Sequence, residues 1–193
     1  MILLADIDMI RIYLFYRGGI QLNTQNNINE QAQQSVILKA VVDGDIIPID
    51  DVEDAIFSER MIGDGYGIIP KSSIIYSPVE GMISEVAVTK HAYYIELDSG
   101  YKILIHIGEN TVLLNGEGFS TQVEKGDHIT VGEQLGKVDL DFLKEKGYDV
   151  TISVIFLFDK SLSLEVDVHP QTDATAMDTI ACQVTYQKAE PLN

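Results

Sequence analysis

The chain has 193 residues, 46% hydrophobic and 22% charged, proportions that suit one globular domain of ordinary size with extensions. Thirty acidic residues against 13 basic ones leave a formal net charge of -17, which repels nucleic-acid phosphates and an anionic membrane surface and attracts a basic protein partner. Cys182 is the only cysteine, so an internal disulfide is excluded and a cytosolic location fits best.

At the N-terminus Met1-Ile2-Leu3-Leu4 is interrupted by Asp6 and Asp8 with no basic region before it, which argues against a signal peptide. The apolar piece from Met9 to Tyr16 contains Arg11 and is too short to cross a bilayer, so no transmembrane span is expected. Gln21 to Gln34 is rich in Gln and Asn and reads as a flexible linker. What precedes it is too short for a domain; an anchoring peptide, a docking strand and sequence upstream of the natural start all remain open.

From Val36 onward, short apolar runs separated by glycine and acidic turn residues predict an all-β domain. Val42-Asp43-Gly44-Asp45-Ile46 is echoed by Val79-Glu80-Gly81-Met82-Ile83, and more loosely by Val123 to Ile129. Such repeated turn units suggest sheets built by duplication, closed or sandwiched so that few edges are exposed. A helical turn is expected near Asp54 to Arg60 and a short helix over Asp139 to Lys146. His128 follows Lys125-Gly126-Asp127 in a predicted turn and His169 lies beside Pro170; both read as solvent-facing. Ser163 to Val168 reads as one last strand, Gln171 to Met177 as loop, and Cys182 as an ordinary side chain of a terminal strand or tail.

The most informative stretch is Lys102-Ile103-Leu104-Ile105-His106-Ile107-Gly108, where one imidazole interrupts an apolar strand. Such a histidine is either a hydrogen-bonded core residue or a nucleophile. A hairpin turning at Asp98-Ser99-Gly100 sets Glu96 against Lys102 and Ala92 against His106. Strict alternation then puts His91 and His106 on opposite faces, so periodicity alone does not bring the two rings together.

Together Thr89-Lys90-His91-Ala92, Ile103-Leu104-Ile105-His106-Ile107-Gly108, Asn110-Thr111-Val112 and Leu114-Asn115-Gly116-Glu117-Gly118-Phe119 resemble the glucose-type enzyme IIA family of the bacterial sugar phosphotransferase system. The resemblance begins near Val36-Ile37-Leu38-Lys39-Ala40, passes through Phe57 to Gly65 and persists to about Phe158. It implies an all-β, duplicated barrel-sandwich hybrid of antiparallel strands with one or two short helical turns. It also implies a domain over residues 35–165, after an extension and linker at 1–34 and before a C-terminal strand and tail at 166–193.

By resemblance, His106 is the acceptor that takes a phosphoryl group from a histidine phosphocarrier protein and gives it to a cysteine of a IIB domain, a phosphotransferase role in sugar uptake without a cofactor. His91 would stabilise the phosphoryl oxygens and Thr89 would orient His91, which requires the strand to bend or bulge at Thr89 to His91. Phe57, Leu104 and Val112 would belong to an apolar partner-binding face, and Asp54 to its acidic rim. Many members carry an aliphatic residue and then Asp between Gly108 and Thr111; here Glu109-Asn110 loses that carboxylate, which puts one contact to a partner arginine in doubt. The expected location is cytoplasmic, or peripheral to the inner membrane face through a permease partner.

Other readings compete. Lipoyl and biotinyl carrier domains share this style of β architecture, but they need a modifiable lysine at a tight hairpin tip, typically beside Asp or Met, and no lysine here stands in that setting. A zinc peptidase of related shape needs a His-x-His pair, which is absent; His91 and His106 with a partner's carboxylate would make only a weak zinc site. A regulatory module, whose docking on transporters or enzymes is controlled by histidine phosphorylation, would use the same residues and is the alternative function.

Overall fold

Strand-forming runs punctuated by glycine turns become antiparallel sheets in the computed structural model, which describes residues 34–158 and 162–188. The expected extension and linker up to residue 33 lie outside the described residues. The strands are β1 (Gln34–Lys39), β2 (Gly44–Pro48), β3 (Gly63–Pro70), β4 (Ile74–Tyr76), β5 (Gly81–Val86), β6 (Ala92–Glu96) and β7 (Lys102–Ile107). They continue with β8 (Phe119–Thr121), β9 (His128–Ile129), β10 (Gln134–Val138), β11 (Ile152–Leu157), β12 (Leu162–Val168), β13 (Gln171–Ala174) and β14 (Ile180–Lys188). An eight-stranded sheet runs β13-β2-β3-β11-β7-β6-β5-β9, and two three-stranded sheets run β1-β14-β12 and β4-β10-β8. Among the described residues every strand pair is antiparallel, as the all-β expectation had it, and the sheets do not close into a barrel.

The internal echo has a steric basis. Gly44 and Gly81 each open a strand where a Cβ would come within 2.3 Å of the Ile69 carbonyl oxygen or 2.6 Å of that of Glu96. Only glycine allows so close an approach of a neighbouring backbone.

Two helical pieces form where expected: α1 (Ala55–Ser58) and α2 (Leu140–Glu145). Asp54 caps α1 by accepting from Ile56 N at 2.9 Å, and Asp139 caps α2 by accepting from Phe142 N at 3.0 Å.

Two expectations are corrected. Gln171–Ala174 is not loop but β13, at the edge of the large sheet, with Gln171 opposite Ile46 and Ala174 opposite Gly44. Its side chains show no apolar period because only Ala174 is buried. Polar contacts hold it instead: the Asp45 carboxylate accepts from Asp173 N at 2.8 Å, and Lys71 pairs with Asp173 at 2.6 Å. His128 lies in the two-residue strand β9 rather than a turn, and both it and His169 are exposed.

Alternation along the central strands divides the interior. Ile103, Ile105 and Ile107 of β7, with Tyr93, Ile95, Val154 and Phe156, face the main core, which also takes in Cys182 and Val184 of β14. Leu104, Ala92 and Ile155 face the other way, into a smaller cluster with Ile49, Val52 and Phe57. These strands are buried on both faces, which is why β7 reads as a continuous apolar run. The smaller cluster is covered by the β2–β3 connection carrying α1, and His106 shares the sheet face of Leu104.

Candidate functional site

His106 stands near the end of β7 with Ala92 of β6 on one side and Ser153 of β11 on the other. Both neighbours are small, which leaves room beside the imidazole. Ser153 was not singled out from sequence; its only signal there is a hydroxyl within the apolar run Ile152-Ser153-Val154-Ile155-Phe156. Glu96 opposes Lys102, and their side chains pair at 3.4 Å, as the hairpin register predicts.

His91 reaches His106 through a turn. Lys90 takes a left-handed conformation, φ 58°, its N–H donates to the Ala87 carbonyl at 2.7 Å, and His91 falls just before β6. The His91 carbonyl still accepts from Ile107 N at 2.8 Å, so its backbone stays on the ladder while its side chain escapes strict alternation. The two imidazoles meet edge to face, with centroids 4.9 Å apart and planes at 87°.

Thr89 Oγ1 lies 2.6 Å from His91 Nδ1. With Nδ1 so engaged, Nε2 is the nitrogen His91 has free for another partner. Burial, then the neighbouring His91, push the His106 pKa down to about 4, against the weaker opposing pull of Asp54 and of the Gly108 backbone. Burial also lowers the pKa of His91, which is 9% exposed. Both rings are therefore neutral at pH 7, and a neutral ring keeps a nitrogen lone pair.

Phe57, on α1, packs against His106 with centroids 5.1 Å apart and planes at 56°. At 4% and 2% exposed, Phe57 and Leu104 share the smaller buried cluster, whereas Val112, at 49%, reaches solvent. Asp54 is half-buried at the head of α1 and close enough to His106 to act on its charge. Asn110, also left-handed, donates through Nδ2 to Glu109 Oε1 at 3.3 Å, which holds the Glu109 carboxylate beside it. Gly108 carries the chain away at φ 71°, and its N–H donates to the Thr151 carbonyl at 2.9 Å.

The pair supplies at most two nitrogen ligands, and no group of three or more potential metal ligands gathers among the described residues. A zinc ion at this site would need further donors from a partner.

An all-antiparallel domain presenting two neutral, edge-to-face histidines beside a buried apolar cluster is the class of protein this geometry defines. Residues 36–162 match the model of the EIIA 1 family of the phosphoenolpyruvate-dependent sugar phosphotransferase system. The chain is 31% identical over 156 residues to a PTS system glucose-specific EIIA component of Staphylococcus aureus (strain Mu50), covering 81% of this chain and 93% of that one. It is 41% identical over 127 residues to the EIIA component named likewise in Mycoplasma capricolum, covering 66% and 82%. A PTS system glucose-specific EIICBA component of Staphylococcus saprophyticus is 34% identical over 163 residues, covering 79% of this chain and 24% of that longer one. Among solved structures, glucose permease IIA from Mycoplasma capricolum superposes with a TM-score of 0.71 at 37% identity, covering 77% of this chain and 96% of that one. The chain belongs to the EIIA 1 family of the sugar phosphotransferase system, and its role is phosphoryl transfer in sugar uptake.

Proposed function

We propose that His106 is the phosphoryl acceptor of this chain, with His91 as the group that stabilises the phosphoryl oxygens and Thr89 as the residue that fixes the His91 ring. The observation that carries the reading is the edge-to-face pair at 4.9 Å with Thr89 on Nδ1 of His91. A neutral His106 nitrogen attacks the phosphorus of a phosphohistidine on the phosphocarrier. The new N–P bond forms as the carrier's N–P bond breaks, and the carrier's imidazole departs with the electron pair. In the second step a cysteine thiolate of the IIB domain attacks the same phosphorus and the His106 imidazole leaves. His91 donates a hydrogen bond to the equatorial oxygens, where charge is spread during transfer.

Family membership implies a histidine phosphocarrier and a IIB domain as partners. In this reading Phe57 and Leu104 support, and Val112 and Asp54 contact, both partners in turn. In this reading the carrier domain takes in residues 35–165 together with the C-terminal strands β12 to β14, which join its sheets, and no cofactor takes part. The chain works in the cytoplasm, at the inner membrane face when it meets its permease; no described helix is long and apolar enough to cross a membrane.

The test is reconstitution with phosphoenolpyruvate, the general phosphotransferase enzyme, the phosphocarrier and a IIB domain, following labelled phosphate. Label should pass through this chain to the IIB cysteine, and His91→Ala should accept it but pass it on slowly. Label that enters and never leaves would refute the relay and favour a regulatory module acting on transporters or enzymes.

A further inference from the structure

The α1 turn carries Phe57, the ring against His106, yet four residues cannot hold a helix by their own hydrogen bonds. Its end is a Schellman closure: Met61 N–H donates to the Ile56 carbonyl at 3.1 Å and Arg60 N–H to that of Phe57 at 2.9 Å. The left-handed residue of that closure is ordinarily glycine; here it is Arg60, at φ 52°. A non-glycine residue there costs about 1 kcal/mol or more, so its side chain should have a task.

The guanidinium of Arg60 joins three parts of the chain. Nη1 and Nη2 engage both carboxylate oxygens of Asp50, the second at 3.0 Å, in the 3-10 turn Ile49–Asp51. Nε lies 3.0 Å from Asp64 Oδ2 on β3. The other Asp64 oxygen accepts from Gly65 N at 2.8 Å, which fixes that carboxylate to the sheet. An isolated surface ion pair contributes little, but a planar fork bidentate to one carboxylate and bonded to a second forms a network with defined geometry.

We propose that Arg60 is a positioning residue for the histidine site, clamping α1 between Asp50 and Asp64 so that Phe57 holds the His106 ring. For its chemistry the proposal rests on the phosphoryl-transfer reading above; for its geometry it rests on the Arg60, Phe57 and His106 contacts alone. Lysine would keep the charge but not the fork. Arg60→Gly keeps the left-handed backbone and removes the clamp, and Asp50→Asn weakens it from an exposed position.

The experiment is an NMR titration of His106 in the full chain, with transfer from the phosphocarrier measured on the same samples. In Arg60→Gly the loosened Phe57 cover should raise the His106 pKa by about a unit. Transfer should slow about tenfold, within what misplacement of a reacting group can cost. Arg60→Lys should fall between, and Asp50→Asn should add little to Arg60→Gly because both act on one network. An unchanged His106 titration in Arg60→Gly, with transfer within twofold of the natural chain, would overturn the proposal even if thermal stability fell. Should the natural chain accept no phosphate, the transfer reading fails by itself and the titration still decides the clamp.

Discussion

His106 keeps its lone pair at neutral pH because burial, and then the adjacent His91, hold its pKa near 4. An NMR titration should therefore find it neutral from pH 8 to about 5.5, where an unperturbed imidazole would be mostly protonated. The same shift makes stability acid-sensitive. An unfolded chain binds a proton at this ring near the ordinary value of 6.5, the folded chain only near 4, so each step down across that window favours the unfolded state. The thermal midpoint should fall from pH 6.5 to pH 4, and the fall should shrink in His106→Ala; equal falls in the two chains would contradict the shift. Thr89 acts one residue further out. Thr89→Val leaves His91 Nδ1 without its oxygen partner, and onward transfer should slow about tenfold while stability changes by less than about 1 kcal/mol. Onward transfer at the natural rate would show that His91 needs no such guide.

Among the elements, the β6–β7 hairpin was legible in sequence because its register is set by charge pairing and by two buried faces, and the pairing of Ala92 with His106 follows from it. The approach of His91 was not legible. It depends on Lys90 in a left-handed turn, a conformation a lysine does not advertise, so only the resemblance to relatives called for a bend there. β13 was missed for a different reason: a polar edge strand carries no hydrophobic period, and its pairing is fixed by Asp45 and Lys71, distant in sequence. Helices α1 and α2 fall inside the stretches expected to be helical, and each is begun by a local aspartate cap, Asp54 or Asp139, that needs no distant partner. At the exit of β7, Gly108 combines φ 71° with no space, since a Cβ would lie 2.5 Å from the Asp149 carbonyl oxygen and 2.6 Å from Thr111 Cγ2. Gly108→Ala should cost about 2 kcal/mol or more in urea unfolding, and a loss under about 0.5 kcal/mol would show that this corner yields.

For the whole molecule, composition already pointed to a basic protein partner through the charge of -17. Association with a basic phosphocarrier should slow severalfold between about 50 and 500 mM salt, as screening shortens the reach of that field. Stopped-flow rates independent of salt would remove the electrostatic encounter. Composition did not reveal how the C-terminal strands join the core. Cys182 of β14 packs opposite Leu38 of β1, fully buried, and burial pushes its thiol pKa up to about 12. A thiol reagent should therefore react with it only on unfolding, which makes it a reporter of the β1-β14-β12 sheet.

The central claim is that phosphate resides on His106. Intact mass after incubation with phosphoenolpyruvate, the general phosphotransferase enzyme and the phosphocarrier tests it most directly. One acid-labile phosphate should appear on the natural chain and on His91→Ala and be absent from His106→Ala. A phosphate retained by His106→Ala, or none on the natural chain, would contradict the claim.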